Sequence, residues 1–131
     1  MMARILIVDD EPSIVNFVDQ AMRLAGHATM TASNASAALR ICASDEPIDL
    51  LITDYKMPGM DGDVLAAELR QREPDLKVLY LTGYADQLFT ERRSTLWRGE
   101  AFLEKPCTLA RLVEAVSMIL AGTDGDFREG V

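Results

Sequence analysis

The sequence predicts an α/β domain in which a parallel sheet of five strands carries helices on both faces. Short continuous apolar runs alternate along the chain with longer stretches whose apolar residues recur every 3.6 residues. Unbroken apolar runs are typical of strands that are covered on both faces, as in a parallel sheet. About five strand–helix units follow one another. We therefore expect one domain over residues 1–121 and a loose C-terminal tail over residues 122–131, where the periodicity is lost.

The predicted strands are short and mostly apolar. The clearest runs are ILIV, IDLLI, VLYL and AFL, and the run ATMTA is weaker. In chain order they predict strands at residues 5–8, 28–32, 48–52, 78–81 and 101–103.

Helices are predicted between the strands and after the last one. Pro12 suits a first helical turn, and Asn34 and Thr108 suit N-caps because their side chains can accept a hydrogen bond from a free backbone N–H. Gly26 suits a helix end. The predicted helices begin after Pro12, Asn34 and Gly62, span residues 86–97 with a less regular pattern, and close the domain at residues 109–120.

Composition excludes several classes of function. The chain has 13 basic and 21 acidic residues, a net charge of −8, so a nucleic acid would be repelled. No apolar run approaches the ~20 residues of a membrane span, and no signal peptide is apparent, so we expect a cytoplasmic protein without a membrane partner. Cys42 and Cys107 lack metal-type spacing and His27 is the only histidine. These counts argue against a zinc site or a His-based triad.

Reactive side chains follow the predicted strands. Asp9 and Asp10 come after the first strand, Asp54 after the third, Thr82 after the fourth and Lys105 after the fifth. Ligands of open parallel sheets bind at the carboxyl ends of the strands. One acid there is often only a helix cap, but several carboxylates in one crevice repel one another unless a hard cation neutralises them. Oxygen ligands without paired His or Cys favour Mg²⁺ (or Mn²⁺) over zinc, and the whole set suits metal-assisted phosphoryl transfer.

Four segments carry a family resemblance. In order and spacing, ILIVDDEP, LLITDYKMPGMDG, LYLTGY and FLEKP resemble the receiver domain of the response regulators of two-component systems, over about residues 3–120. The resemblance implies a flavodoxin-like fold with strand order 2-1-3-4-5, which brings Asp9 and Asp10 next to Asp54. It also implies a phosphoacceptor signalling domain of a phosphorelay. Such a domain is not an enzyme in the usual sense, although it assists its own phosphorylation and dephosphorylation.

The resemblance assigns the acceptor and the metal ligands. Asp54 is expected to take the phosphoryl group, and Asp10, Asp54 and the backbone carbonyl of Lys56 to bind the metal directly, with Asp9 acting through water. Lys56 and Tyr84 flank the acceptor without touching the transfer chemistry. We expect both side chains to project over the mouth of the crevice and to prolong the life of the phosphoryl group by shielding it from water.

The remaining site residues are expected to respond to the phosphoryl group. The resemblance implies that Thr82 closes onto the phosphoryl oxygens, that Lys105 pairs with Asp54 and then with the phosphoryl group, and that Phe102 is the switch aromatic. It also implies a cis peptide bond between Lys105 and Pro106. For Glu11 we expect a simple electrostatic role at the start of the first helix.

The partner predictions follow from the position of the one histidine. His27 precedes the second strand, at the end of the sheet opposite the reactive crevice. The phosphoryl group must therefore come from another protein, a histidine kinase or a histidine phosphotransfer protein. The predicted fourth helix (DQLFTERRSTLWR), the fifth strand and the last helix form the family's usual face for a downstream protein. The sequence leaves open a homodimer, and also whether the chain stands alone, which its initial methionines and short tail favour, or belongs to a hybrid histidine kinase.

Two alternatives have different chemistry. A metal-dependent phosphatase with an aspartyl nucleophile would usually present a D-x-D pair, but Asp54 is followed by Tyr55 and Lys56. A flavin-binding domain would need hydroxyls and glycines after the first strand to cradle a phosphate, and the acidic DDEP segment would repel one.

Overall fold

The computed structural model describes residues 2–44, 46–83, 99–123 and 125–126, so the predicted helix over residues 86–97 lies outside the described residues. The elements are β1 (Arg4–Val8), α1 (Pro12–Leu24), β2 (Ala28–Ala32), α2 (Ala35–Ile41), β3 (Leu50–Thr53), α3 (Gly62–Arg70), β4 (Lys77–Thr82), β5 (Glu100–Glu104), α4 (Leu109–Leu120) and β6 (Gly125–Asp126).

All neighbouring strands of the sheet are parallel, in the order β2-β1-β3-β4-β5-β6. The five predicted strands and the order 2-1-3-4-5 are thereby confirmed. Both β1 and β4 contact β3, so the ends of three central strands meet at one rim. The predicted reactive residues lie at or just after the ends of these strands and of the neighbouring β5.

The sheet is one strand wider than the sequence predicts. Gly125 and Asp126 pair in parallel with Ala101 and Phe102 of β5, although they fall in the segment for which we expected no regular structure. The connection through α4 is long enough for the chain to return in the same direction, as a parallel pair requires. Gly122 and Gly125 have positive φ angles, of 102° and 118°, and allow the bends on this return.

Two apolar layers pack on the sheet, one on each face. Alternate residues of each strand point to opposite faces, so Leu6 and Val8 lie in one layer while Ile5 and Ile7 lie in the other. The first layer is completed by α2 and α3, and the second by α1 and α4. The four central strands are buried almost throughout, which explains their unbroken apolar sequences.

The helix ends follow the predicted signals. Pro12 is the first residue of α1. The Asn34 side chain accepts a hydrogen bond from the N–H of Ala37 at 2.8 Å, and Thr108 accepts one from Arg111 at 3.1 Å. Both predicted N-caps are confirmed. Among the described residues no helix is long and apolar enough to cross a bilayer.

A buried ion pair joins α3 to β5 at the amino end of the sheet. Arg70 Nη1 lies 2.7 Å from Glu100 Oε2, with side chains that are 11% and 2% exposed. Arg70 also donates to the carbonyl of Leu76 through Nε and Nη2, and the Tyr80 hydroxyl lies 3.4 Å from Glu100 Oε2. The charges therefore sit in a hydrogen-bonded network, as buried charges require.

Candidate functional site

The sheet register brings the predicted reactive residues to one rim. Val8 is opposite Thr53, so Asp9 and Asp54 follow adjacent strands at the same level. Thr82 is opposite Glu104, and its carbonyl accepts a hydrogen bond from the N–H of Lys105 at 2.9 Å. Asp9, Asp54, Thr82 and Lys105 therefore lie at one rim of the sheet, as the strand ends predict.

Lys105 lies at the centre of this group. Its Nζ atom is 2.8 Å from Asp9 Oδ2, 3.1 Å from Asp54 Oδ2 and 3.4 Å from Glu11 Oε1. Burial by itself lowers the pKa of Lys105, but the hydrogen bonds to Asp9 and Asp54 outweigh this effect and raise the pKa above its usual value. The ammonium therefore stays charged at neutral pH.

Asp9 is a buried acid with two partners. Its Oδ1 atom accepts the N–H of Glu11 at 2.9 Å, while Oδ2 faces Lys105. Burial raises the pKa of the Asp9 carboxyl, and the hydrogen bonds from Lys105 and Glu11 offset only part of this effect. The pKa of Asp9 is thus raised mainly by burial, whereas that of Lys105 is raised by the carboxylates that accept its hydrogen bonds.

Asp54 has one partnered and one unpartnered oxygen. The residue is 5% exposed; Oδ2 accepts from Lys105, whereas Oδ1 is buried and has no hydrogen-bond partner among the described residues. Oxygens of Asp9, Glu11 and Asp54 lie within 4.8 Å of one another. A buried carboxylate oxygen without a donor, in an acidic group, is suited to a hard cation with oxygen ligands.

In the acidic run Asp9-Asp10-Glu11, the residues that face the site differ from those predicted. Asp10 is exposed and is not in the group of three acids, so its role as a direct metal ligand stays a prediction. Glu11, for which we expected only helix-start electrostatics, makes no side-chain cap bond and faces Lys105 instead. The position of Glu11 two residues after Asp9, in the same acidic run, is the sequence signal that could have predicted its contact with Lys105.

The loop after Asp54 is held by contacts of Lys56 and Gly62 with Asp61 and Tyr55. Lys56 Nζ lies 3.7 Å from Asp61 Oδ2 and 5.1 Å from the centroid of the Tyr55 ring. The N–H of Gly62 donates to the carbonyl of Tyr55 at 2.7 Å. A β-carbon on Gly62 would collide with the carbonyl oxygen of Asp54, so this position requires glycine.

The predicted switch residues are buried. Thr82 is fully buried at the end of β4, and Phe102 is 2% exposed in the same apolar layer as Tyr80 and Tyr55. Tyr84, expected to shield the phosphoryl group, lies outside the described residues. So do Arg92, Arg93, Trp97 and Arg98 of the predicted fourth helix.

Two further predictions are confirmed by the geometry. The peptide bond between Lys105 and Pro106 is cis. His27 lies at the amino end of the sheet, where its Nδ1 atom accepts the N–H of Ala3 at 3.0 Å. It is therefore at the opposite end of the strands from Asp54. Burial lowers the pKa of His27 and raises that of the Cys107 thiol, as expected for structural side chains.

Comparison with known proteins gives consistent matches over most of the chain. The sequence model described as response regulator receiver domain matches residues 5–117. The response regulator receiver protein CpdR of Brucella abortus is 37% identical over 120 residues, which are 91% of this chain and 98% of CpdR. The sensor kinase CckA of the same organism is 32% identical over 123 residues, 93% of this chain but 13% of the kinase.

Solved structures agree with these sequence matches. The response regulator protein TrrA from Thermotoga maritima, determined in complex with Mg²⁺–BeF, is 32% identical to this chain. The two structures superpose with a TM-score of 0.75 over 90% of this chain and 99% of TrrA.

Proposed function

The chain belongs to the response regulator receiver domain family, and on that premise we propose that Asp54 is its phosphoacceptor. Receiver domains are signalling domains that are phosphorylated on an aspartate with the help of Mg²⁺ and that interact with histidine kinases and downstream effectors. One observation carries the assignment to Asp54. Its carboxylate is buried at a strand end beside Asp9 and Glu11, with Lys105 on one oxygen and no hydrogen-bond partner among the described residues on the other.

The proposed reaction is a transfer between two proteins. A carboxylate oxygen of Asp54 attacks phosphorus of the partner's phosphohistidine, the P–N bond breaks, and the imidazole leaves with its electron pair. The product is an acyl phosphate on Asp54. The position of His27 at the other end of the sheet supports an external donor, a histidine kinase or a histidine phosphotransfer protein.

The acidic residues of this rim fit a divalent cation. Asp9, Asp10, Asp54 and the backbone carbonyl of Lys56 would hold Mg²⁺ (or Mn²⁺), and the unpartnered Asp54 Oδ1 supports this assignment. When bound, the cation would neutralise the carboxylates and the charge on the phosphoryl oxygens. TrrA, which shares the fold, is described in complex with Mg²⁺–BeF, and the same chemistry is proposed for this chain.

Lys105, Thr82 and Phe102 complete the proposal. Lys105 already contacts Asp54 and would donate to a phosphoryl oxygen after transfer. Thr82 would move its hydroxyl toward the same oxygens, and Phe102 would turn further inward into the space that Thr82 leaves. A phosphoryl group adds a charge of about −1.5 to −2, which supplies the differential contacts that such a shift requires. We propose that the downstream protein binds to β5, to the last helix α4, and to the helix that the sequence predicts over residues 86–97.

The phosphatase alternative is not favoured. The position two residues after Asp54 is Lys56, whose ammonium lies near Asp61 and the Tyr55 ring and cannot serve as a carboxylic acid or base. We propose instead that the domain assists only its own phosphorylation and dephosphorylation.

Labelling by a small-molecule phosphodonor tests the proposal without a kinase. In the presence of Mg²⁺ the wild-type chain should gain one phosphoryl group by mass spectrometry, and Asp54→Asn should gain none. Asp75→Asn is the matched control, since Asp75 is an exposed acid beyond the opposite end of the sheet, just before β4. Labelling of Asp54→Asn at the wild-type rate would refute the assignment.

A further inference from the structure

The three donors of the Lys105 ammonium match the three carboxylates around it. The contacts are 2.8 Å to Asp9, 3.1 Å to Asp54 and 3.4 Å to Glu11. An ammonium has three N–H donors and no acceptor, so these contacts can use its full capacity. A phosphoryl oxygen arriving on Asp54 can receive a donor from Lys105 only if an existing acceptor gives one up.

Glu11 is placed at this rim by its backbone. Its N–H donates to Asp9, and its carbonyl accepts the N–H groups of Ile14 and Val15 at the start of α1. The Glu11 side chain makes no cap bond, so its carboxylate is available to Lys105. The unpartnered oxygen of Asp54 is an independent sign that this acidic group awaits a further ligand.

The three acceptors differ in how readily they can be released. The side chains of Asp9 and Asp54 are 3% and 7% exposed. Asp9 stays a buried carboxylate, which is costly to leave uncompensated, and Asp54 carries the phosphoryl group and so stays beside Lys105. The Glu11 side chain is 59% exposed and makes the longest of the three contacts. Water can replace Lys105 around Glu11 at little cost, which is the behaviour of an exposed ion pair.

We propose that Glu11 is a positioning residue that holds the third donor of Lys105 in the resting domain and competes with the phosphoryl group for it. This inference rests on the proposed function of Asp54. In the phosphorylated domain, a phosphoryl oxygen takes the donor and Glu11 turns to water. Glu11 thus sets how readily the Lys105 ammonium exchanges one of its hydrogen bonds to the phosphoryl group.

Equilibrium binding of beryllofluoride, a phosphoryl mimic, tests this inference without measuring turnover. Binding is followed by fluorine NMR at Mg²⁺ concentrations that saturate each variant. Glu11→Ala should bind the probe about two- to fivefold more tightly than wild type, the range expected for removal of an exposed ion pair. Glu104→Ala is the matched control, because Glu104 is an exposed acid at the same end of the sheet. It should bind as wild type does.

A double-mutant cycle separates competition for Lys105 from general charge repulsion. In a Lys105→Met background, Glu11→Ala should no longer change the affinity for beryllofluoride. The inference would be overturned if Glu11→Ala raised the affinity for beryllofluoride equally in the Lys105→Met background, or did not raise it in the wild-type background. It would also be overturned if Glu104→Ala raised this affinity as much as Glu11→Ala does. If Lys105→Met does not bind the probe, the comparison of Glu11→Ala with Glu104→Ala decides alone. Failure of the wild-type chain to bind the probe would instead refute the proposed function.

Discussion

Replacing Gly62 by alanine is expected to disturb the phosphoacceptor loop from the start of α3. Gly62 is the first residue of this helix and is buried against the backbone of Asp54. A β-carbon there would collide with the Asp54 carbonyl oxygen and would lie 3.1 Å from Thr53 Cγ2. Because the first neighbour is backbone, no flexible side chain can move aside, and the strand end or the helix must shift.

Two opposing effects determine how much Gly62→Ala changes the free energy of unfolding. Alanine in place of glycine favours a helix by up to about 1 kcal/mol. Overpacking of a tightly packed site typically costs about 1–3 kcal/mol. We expect the collision to dominate, since it involves backbone atoms, and Gly62→Ala to lower the free energy of unfolding by about 1–3 kcal/mol. For a domain of this size the melting temperature should fall by about 4 °C per kcal/mol.

Urea unfolding and Mg²⁺ titration of Gly62→Ala measure the two consequences. The Mg²⁺ affinity should fall together with stability, because the displaced peptide carries the Asp54 carboxylate. Gly83→Ala is the control, since a β-carbon there meets nothing within 4 Å and φ is not in the left-handed region. The free energy of unfolding of Gly83→Ala should rise by about 0.4–1 kcal/mol, because alanine lowers the conformational entropy of the unfolded chain. Equal or greater stability of Gly62→Ala would show that the loop yields freely and would refute this reasoning.

Three other predictions address the ion pair, the histidine and the phosphoryl lifetime. Glu100→Gln should lower the free energy of unfolding by about 3 kcal/mol, because it removes the negative charge that pairs with Arg70 at 2.7 Å in a buried site; a loss under 1 kcal/mol in urea unfolding would contradict this. Because burial lowers the pKa of folded His27, the unfolded chain binds the proton more tightly. Stability should therefore fall as pH drops below about 6.5, and a His27→Asn variant should lack this component in unfolding curves at several pH values. Replacing Lys56 and Tyr84 together by alanine should speed loss of the phosphoryl group severalfold, and an unchanged decay rate would show that no shielding exists.

Much of the fold could be predicted because burial on both faces leaves a direct trace in the sequence. The runs ILIV and VLYL are apolar throughout because β1 and β4 are covered by both layers. The third strand begins later than predicted, at Leu50. Ile48 is buried, but the Asp49 carboxylate accepts the N–H of Arg4 at 2.8 Å beside it. Hydrophobicity alone cannot distinguish a buried loop residue from a strand residue.

The site was predicted in part, and the part that was missed depends on side-chain direction. Strand ends predicted that Asp9, Asp54 and Lys105 meet, because parallel strands share one rim. The contact of Glu11 with Lys105 depends on how the chain enters α1, which no periodicity encodes. The sixth strand was missed for a similar reason. Two residues are too few to show a pattern, and their pairing depends on where α4 ends.

The pairing of β6 with β5 changes what the edge of the sheet offers to other molecules. An edge strand exposes unpaired backbone groups that can recruit a strand from another chain, and such recruitment leads to edge-to-edge association. At Ala101 and Phe102 that edge is taken by Gly125 and Asp126. The amide groups of this part of β5 are therefore removed from the template for intermolecular strand addition. A molecule that contacts Phe102 must approach over a face of the sheet, by side-chain packing, and cannot add a strand beside it.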